Sequence, residues 1–252
     1  MNIVLVDASE LDSRGLARLT DARARHLLNV LHVAPGHAVR VGVIDGPLGT
    51  GTVAAVGNNA VTLACAFAAA PPERPRVDLL LALPRPKVLR RLWAHLAALG
   101  VGRVMLTNAG KVERDYFDSH VVHDAGFRPL LLEGLQQARD TRMPIVSVHK
   151  RLTVLVEDEL DGLCPGGRRL VAHPDAGTSI AAALAGIAAR DRVLVAVGPE
   201  GGWNEFELAL LERHRFERVG MGARTLATTT ACVALLTLVH AVLSASNASE
   251  GR

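Results

Sequence analysis

The sequence is poor in cysteine, and the few cysteines it has stand far apart. Cys65, Cys164 and Cys232 form no CxxC pair. This spacing excludes a disulfide framework and a cysteine-based zinc site, and it is typical of a reducing compartment. The first residues, MNIVLVDASE, carry acids where a secretory signal has a basic start and a long apolar run. We therefore expect no targeting segment and a cytoplasmic protein.

Net charge is also small, because 28 Lys+Arg and 25 Asp+Glu leave +3 over 252 residues. With 49% hydrophobic and 21% charged residues, the composition argues against disorder. The length suits one large domain or two modest ones. Lysine is rare beside arginine, which binds phosphates and stacks on bases better than lysine does. Enrichment in arginine and alanine is equally typical of a GC-rich genome, so composition leaves nucleic-acid binding open.

One long stretch lacks charge altogether. Residues 225–249 contain no Asp, Glu, Lys or Arg and are long enough to span a membrane. Three consecutive threonines, a histidine and a tail rich in serine and asparagine favour a buried amphipathic or interface helix instead. We predict no membrane span.

The pattern along the chain changes near residue 72. Residues 1–69 combine short β-branched runs with turn sequences such as DGP at 45–47, as a small barrel would. The Pro-rich AAAPPERPRVD is the best linker candidate. We therefore divide the chain into domains 1–72 and 73–252.

Strands and helices alternate in the second domain. The continuous apolar runs VDLLLAL, RVMLT, RRLVAH, RVLVAVG and RVGMG are typical of buried parallel strands. Helices are predicted over 87–99, 128–139, 179–189, 205–214 and 228–243. This alternation predicts an α/β domain with a sheet covered on both faces. In such sheets the ligand site lies beyond the carboxyl ends of the strands.

The most informative loop is GPEGG at 198–202, between a strand and a helix. Its three glycines let the main chain turn tightly and approach a ligand. Asn204 can cap the following helix, with Glu207 completing a capping box. The loop is neither a P-loop nor a GxGxxG fingerprint, and a plain glycine-rich turn is the alternative. The strand-end segments AHP at 172–174 and MGARTL at 221–226 should lie beside it, forming a pocket for a flat, partly apolar ligand.

The segment VGPEGGWNEFELALLERHRFERVGMGARTLATTTACVALLTL resembles the carboxyl-terminal motif of the RsmE-type family of 16S ribosomal RNA uracil-N3 methyltransferases. LALPRPKVLRRLWAHLAALGV is similar to the helix that opens the family's catalytic domain. LLEGLQQARDTRMP resembles its glutamate- and glutamine-bearing helix, and RHLLNVLHVAPGHAVRV its amino-terminal PUA-like barrel. The resemblance runs over nearly the whole chain.

The resemblance implies a PUA-like RNA-binding β-barrel over 1–72 and an α/β-knotted (trefoil-knot) SPOUT methyltransferase domain over 73–252, working as a homodimer. The implied cofactor is S-adenosylmethionine, without a metal, and the implied substrate is 16S rRNA or the small ribosomal subunit. The residues predicted to bind the cofactor are Ala172, His173, Pro174, Gly198, Gly201, Gly202, Met221, Gly222, Leu226 and Thr228.

The chain departs from the family pattern LRTETA, where it has Ala227 in place of the arginine and Thr229 in place of the glutamate. Arg224 is the nearest guanidinium that could replace the lost one, and Glu200 is the only acid in the glycine loop. With Thr228, these two residues make up the predicted catalytic set.

Basic residues suggest where RNA would bind. Arg85, Lys87, Arg90 and Arg91 place four positive charges within seven residues without an acid, which favours phosphate contact, although a solvated helix face is the alternative. The complete predicted RNA-binding set adds Lys111 and three residues of the first domain, namely Arg25, His26 and His32.

Two functions of different class stay open at this point. The first is the methyltransferase reaction itself. The second is a diverged, non-catalytic or re-tasked protein that binds RNA or S-adenosylmethionine, which the two replacements in the LRTETA segment favour. The target nucleotide, the general base and the choice between free RNA and an assembled subunit are not given by the sequence.

Overall fold

The structure is a computed structural model that describes the backbone of residues 1–250 and the side chains of residues 1–246. The chain forms two compact units. One comprises Met1–Arg74 and Leu131–Met143, and the other comprises Pro75–Leu130 and Pro144–Arg252.

The first unit contains a five-stranded mixed sheet with the strand order β1-β3-β4-β5-β2. Its strands are β1 (Val4–Val6), β2 (Leu16–Leu19), β3 (Ala38–Val43), β4 (Leu48–Gly57) and β5 (Ala60–Phe67). β1 and β3 pair in parallel, and the other pairs are antiparallel. Alternate apolar side chains of these strands form the core, as period-two patterning predicts.

A helix in this unit was not predicted. α1 (Ala22–Asn29) begins after Asp21, whose side chain accepts a hydrogen bond from the backbone N–H of Arg23. Ala24 and Leu27 are its fully buried positions and contribute to the core of the sheet. The helix is short and mostly polar, so its apolar periodicity is too weak to find from sequence.

Residues 131–143 pack with the amino-terminal unit, which the division at residue 72 did not anticipate. The backbone N–H of Asn2 donates to the carbonyl oxygen of Gln136 at 3.1 Å. The hydroxyl of Thr141 donates to the carbonyl oxygen of Gly46 at 2.7 Å, and Arg142 donates to that of Asp45 at 3.0 Å. These contacts join positions about 90 or more residues apart, and no local pattern encodes them.

The second unit is built on a six-stranded sheet in which every pair is parallel, with the order β11-β9-β10-β6-β7-β8. The strands are β6 (Val77–Ala82), β7 (Val101–Thr107), β8 (Ile145–His149), β9 (Arg168–Ala172), β10 (Val193–Val197) and β11 (Phe216–Val219). β6 and β10 are buried along their whole length, which explains their uninterrupted apolar sequences. The predicted parallel α/β domain is confirmed.

The longer helices of this unit are α2 (Pro86–Ala98), α3 (Asp124–Ala138, which continues into the first unit), α7 (Glu205–Arg213) and α8 (Thr228–Glu250). Shorter pieces are α4 (Leu152–Val154), a π-helical turn at Leu155–Glu159, α5 (Leu160–Leu163) and α6 (Ile180–Ala183). α8 packs on β6, β10, α2 and α6. In α2 the indole of Trp93 is fully buried and donates to the carbonyl oxygen of Val121 at 2.9 Å.

Several elements of this unit differ from the sequence prediction, among them the helical turns over 152–163, which were not predicted. The helix predicted over 179–189 is helical only over Ile180–Ala183, and the chain then turns through Gly186, which has a φ of +68°. Strand β8 was missed. It is an edge strand in which Ile145 and Val148 stay about 41% exposed, so it lacks the continuous burial that made the other strands recognisable.

Within residues 1–250, one helical segment, Thr228–Ser246, is long and apolar enough to cross a membrane by length and composition. About one third of that segment is buried inside the protein. A core helix of a soluble protein passes the same test, so the finding is weak evidence for a membrane span.

Candidate active site

Three strands of the parallel sheet end at one edge and hold their following loops together. β9 ends at Ala172, β10 at Val197 and β11 at Val219. The backbone N–H of His173 donates to the carbonyl oxygen of Val219 at 3.0 Å, which joins the first loop to the third. The adjacency follows from the strand order, in which β9 lies between β11 and β10.

These loops surround a cavity of about 480 Å³. Every residue predicted to bind the cofactor lines it, as do the three residues of the predicted catalytic set. The lining also includes Trp203, Ala227 and Ala231. The structure thus brings the residues of the three predicted loops together, and their roles in binding and catalysis stay predictions.

The GPEGG loop is a tight turn. The backbone N–H of Gly202 donates to the carbonyl oxygen of Pro199 at 2.8 Å, and Gly202 has a φ of +71°, which favours glycine. Trp203 is only 6% exposed and packs on Gly198, where a Cβ atom would lie 3.2 Å from the indole ring. A Cβ at position 198 would therefore require Trp203, through its indole or its backbone nitrogen, to shift by a few tenths of an ångström.

A capping box follows the loop, as predicted. The side-chain oxygen of Asn204 accepts from the backbone N–H of Glu207, and the carboxylate of Glu207 accepts from the backbone N–H of Asn204, both at 2.9 Å. The second oxygen of Glu207 accepts from the backbone N–H of Gly110 at 2.6 Å. One buried carboxylate therefore ties the glycine loop to the loop that follows β7.

Two further contacts fix the same loop. The ammonium group of Lys111 donates to the carbonyl oxygen of Gly201 at 2.6 Å, and its Cδ lies 2.7 Å from where a Cβ of Gly201 would be. The carboxylate of Glu200 accepts from the backbone N–H of Arg85 at 3.1 Å. Thus Lys111, which the sequence analysis assigns to RNA binding, contacts the GPEGG loop. Glu200 of the same loop is connected to the predicted basic patch through Arg85.

The third loop leads from β11 into α8, and the departures from the family pattern are Ala227 at its end and Thr229 in the first turn of α8. Gly222 has a φ of +103°, with open space where a Cβ would lie. Arg224 is exposed, and among residues 1–246 no side chain or backbone group pairs with its guanidinium. Thr228 begins α8 and is buried against the cavity.

One turn further along α8, burial raises the pKa of the Cys232 thiol to about 12, so no thiolate forms there at neutral pH.

His173 has a local structural partner. Its Nδ1 accepts from the backbone N–H of Asp175 at 3.3 Å, and the ring is half-buried in the wall of the cavity. This arrangement fixes the ring orientation at the strand end.

The predicted RNA-binding residues lie on the surface of their own units. Arg85 precedes α2, and Lys87, Arg90 and Arg91 are exposed within it. In the other unit Arg25 is exposed and His26 half-buried on α1, and His32 is exposed with a φ of +48°. Their contact with RNA stays a prediction.

Sequence reasoning missed the basic pair Lys150 and Arg151, which directly follows β8. Because β8 was not predicted, no strand end was expected there. The alternating sequence IVSVH before the pair was the only available signal.

Comparison with known proteins places this fold and cavity in a class. The family model described as RNA methyltransferase domain matches residues 72–240, so the chain is an RNA methyltransferase by family. Ribosomal RNA small subunit methyltransferase E of Treponema pallidum is 30% identical over 253 residues, covering 96% of this chain and 92% of the relative. The corresponding E 1 protein of Borreliella burgdorferi is 22% identical, covering 93% and 95%. The chain therefore belongs to the RsmE-type family of SPOUT methyltransferases, and the predicted resemblance is confirmed.

A solved structure supports the fold. The crystal structure of ribosomal RNA small subunit methyltransferase E from Neisseria gonorrhoeae, bound to S-adenosyl methionine, superposes with a TM-score of 0.75 at 17% identity. The match covers 96% of this chain and 98% of that one, so the similarity extends over both compact units.

Proposed function

We propose that this protein methylates uracil N3 of a uridine in 16S ribosomal RNA, using S-adenosylmethionine. The observation that carries the proposal is the cavity of about 480 Å³ formed by the loops after β9, β10 and β11 in a chain of the RsmE-type family. We place the reaction in the cytoplasm, on free 16S rRNA or on the small ribosomal subunit.

The cavity fits S-adenosylmethionine in size and in chemistry. Its volume lies in the range of small-molecule sites, roughly 300–1,000 Å³. At Gly202 and Gly222 no atom of the described residues lies within 4 Å of where a Cβ would be, so the backbone there is open to a ligand's hydrogen-bonding groups. Pro174, Met221 and Leu226 supply apolar walls for the adenosine and methionine parts. When bound, the cofactor supplies a methyl group activated by its sulfonium centre.

In this proposal the protein's own residues position uracil and stabilise the negative charge that develops on it. N3 of uracil must lose its proton to become nucleophilic, and the resulting anion needs stabilisation. The unpartnered guanidinium of Arg224 at the cavity supplies positive charge for that anion. Glu200 and Thr228 complete the proposed catalytic set, with Glu200 oriented by the backbone of Arg85.

The proposal extends to finer architecture. We assign the amino-terminal sheet to a PUA-like β-barrel that binds RNA through Arg25, His26 and His32. We assign the methyltransferase domain to the trefoil-knotted class, with RNA phosphates held by Lys111 and the basic residues at 85–91. The protein acts as a homodimer through α8, which presents Leu238 to the surface with 44% of the residue exposed.

The direct test is mass spectrometry of small-subunit RNA from a strain deleted for the gene. We expect 3-methyluridine to disappear and to return when the gene is restored. A restored gene carrying Gly202→Val should fail to bring the modification back. Unchanged 3-methyluridine in the deletion strain would overturn the substrate assignment.

The second function, a diverged protein that binds RNA or cofactor without this reaction, is favoured by one observation. Ala227, at the position of the family's arginine, lines the cavity and carries no charge. Removing one such charged group typically costs about 10²–10³ in rate. We expect Ala227→Arg combined with Thr229→Glu to raise methylation of uridine, and Arg224→Ala to abolish it. Absence of turnover in both the natural protein and the double variant would favour the non-catalytic function.

A further inference from the structure

A second cavity, of about 410 Å³, lies at the same carboxyl edge of the parallel sheet. Asn108 directly follows β7, and Lys150 and Arg151 directly follow β8. The backbone N–H of Asn108 donates to the carbonyl oxygen of His149 at 3.3 Å, which holds the two strand ends together. The residues on these ends therefore face a common space.

The remaining wall is a 3₁₀ helix, Arg114–Asp118. In a 3₁₀ helix the side chains at positions i and i+3 eclipse, so Arg114 and Phe117 share one face. Both residues line the cavity, together with Asp118. The lining thus combines cations, one acid, one aromatic ring and one amide.

The cations of this cavity have no partners among the side chains that the structure describes. Arg114, Lys150 and Arg151 are exposed, and within residues 1–246 none of their side chains makes an ion pair or a hydrogen bond. Asp118 is the only acid among the six lining residues, which leaves an excess of positive charge. Arginine and lysine converging on an open site favour phosphate oxygens.

Two other groups that line this cavity, Phe117 and Asn108, favour binding of a nucleic-acid base next to the phosphate. Phe117 is half-buried and presents an aromatic surface on which a base can stack. The side-chain oxygen of Asn108 is buried without a hydrogen-bond partner in the described part of the chain. A buried acceptor of this kind is costly unless a ligand supplies an N–H donor, which the Watson–Crick edges of bases carry.

We infer that this cavity binds a nucleotide of the substrate RNA that neighbours the methylated uridine, an inference that rests on the proposed function. β10, which leads into the cofactor loop, is separated from β7 by β6 alone. At about 4.8 Å per strand, the second cavity lies roughly 10–14 Å along the sheet edge from β10. An extended RNA strand can therefore reach both sites.

The first experiment measures binding of a fluorescent single-stranded RNA oligonucleotide to the full chain by anisotropy, without S-adenosylmethionine, across a salt series. For Lys150→Ala combined with Arg151→Ala, we expect the slope of log K against log salt to fall by about 1.4, since each phosphate contact on a single strand contributes about 0.7. Because one decade of salt separates 0.1 M from 1 M, where such affinities converge, the affinity near 0.1 M salt should fall about 25-fold. Unchanged slope and affinity would overturn the inference.

A matched control removes the same charge elsewhere. Arg168 and Arg190 are exposed and lie at the opposite, amino-terminal ends of β9 and β10. Arg168→Ala combined with Arg190→Ala should leave the slope and the affinity unchanged. An equal loss in this control would mean that general charge, and not the cavity, binds the RNA.

Two further variants separate stacking and charge from misfolding. Phe117→Ala should weaken binding by about 5- to 150-fold, the usual range for loss of a stacked base, while Phe117→Tyr keeps the affinity. Asp118→Asn should strengthen binding, a gain that a damaged fold would not produce. Loss of affinity in Asp118→Asn would contradict the inference.

The same variants distinguish this inference from the proposed function. Calorimetric affinity for S-adenosylmethionine should be the same in all of them. If RNA binding is normal in the Lys150/Arg151 variant while the protein still methylates 16S rRNA, the inference fails and the function stands. If the natural protein binds no S-adenosylmethionine but the salt slope changes as expected, the function fails and the RNA site stands. Adenosine monophosphate binding as tightly as the oligonucleotide would show a free-nucleotide site and overturn the RNA assignment.

Discussion

The carboxylate of Glu207 makes a quantitative prediction possible, because it connects two loops of the candidate active site. Glu207 is 5% exposed and accepts from the backbone N–H groups of Asn204 and Gly110. Glu207→Ala removes both acceptors and leaves the helix-capping bond from Asn204 in place. The variant therefore tests the bridge between the loops and not the cap as a whole.

The expected loss of stability follows from the two backbone N–H groups, of Asn204 and Gly110, that the substitution leaves without an acceptor. A buried N–H left without a partner costs about 1–3 kcal/mol, which applies to the half-buried Asn204. Gly110 is exposed, so its N–H can bind water and costs only the net value of a hydrogen bond, about 0.5–1.5 kcal/mol. Together these give a loss of about 2–4 kcal/mol. For a protein of this size that lowers the Tm by about 5–15 °C.

Thermal unfolding followed by circular dichroism measures this loss, with Glu205→Ala as the matched control. Glu205 is an exposed acid in the same first turn of α7, so its removal costs only the interaction with the helix dipole, about 0.3–1 kcal/mol. Glu207→Gln retains one acceptor oxygen and should fall between the two. If Glu207→Ala unfolds at the same temperature as Glu205→Ala, the bridge does not stabilise the protein.

The same variant should weaken binding of S-adenosylmethionine if the cofactor binds at the proposed site. The loop that Glu207 restrains carries Gly198 and Gly202, so a loosened loop must be ordered again on binding. If ordering the loop on binding consumes about 1.4 kcal/mol of the binding free energy, the Kd for S-adenosylmethionine rises about tenfold. Calorimetry on the folded variant below its Tm measures this rise, and an unchanged Kd would show that the loop is positioned without Glu207.

Three other predictions concern separate parts of the second unit. Gly202→Val should abolish calorimetric binding of S-adenosylmethionine while the circular dichroism spectrum stays native, because valine resists a φ of +71°; unchanged affinity would remove this loop from the site. Leu238→Glu should convert a dimer into a 26.7 kDa monomer in light scattering, and a monomeric natural protein would contradict the interface on α8. Burial lowers the pKa of His240 below its usual 6.5, and a hydrogen bond to the backbone of Gly100 opposes this shift in part. Because the unfolded chain then binds more protons at this position than the folded chain does, the stability of the fold decreases as the pH drops below about 6.5. In urea unfolding at pH 7 and pH 5, the free energy of unfolding should change less with pH in His240→Gln than in the natural protein. An equal decrease in both proteins would refute the role of His240.

Much of the candidate site is encoded locally. The run at 193–197, the GPEGG loop and the capping box of Asn204 and Glu207 are contiguous, so hydrophobic periodicity, glycine conformational freedom and capping chemistry were enough to predict strand, turn and helix. The same reasoning predicted that residues at the ends of β9 and β11 would join this loop, because ligands bind at the carboxyl ends of parallel strands.

Other features depend on which strands become neighbours. The contacts of Lys111 with Gly201 and of Glu207 with Gly110 join residues 90 and 97 positions apart. Strand β8 and the cavity beside it depend on the pairing of β8 with β7, since its own sequence is half-exposed and weakly patterned. Local propensity acts over a few residues, whereas strand order is decided by the burial of whole elements. The sequence by itself therefore determined the buried strands β6, β7, β9, β10 and β11, the longer helices of the second unit and the glycine loop. The tertiary structure alone decided what holds that loop in place and where a second site forms, because both depend on which strands become neighbours.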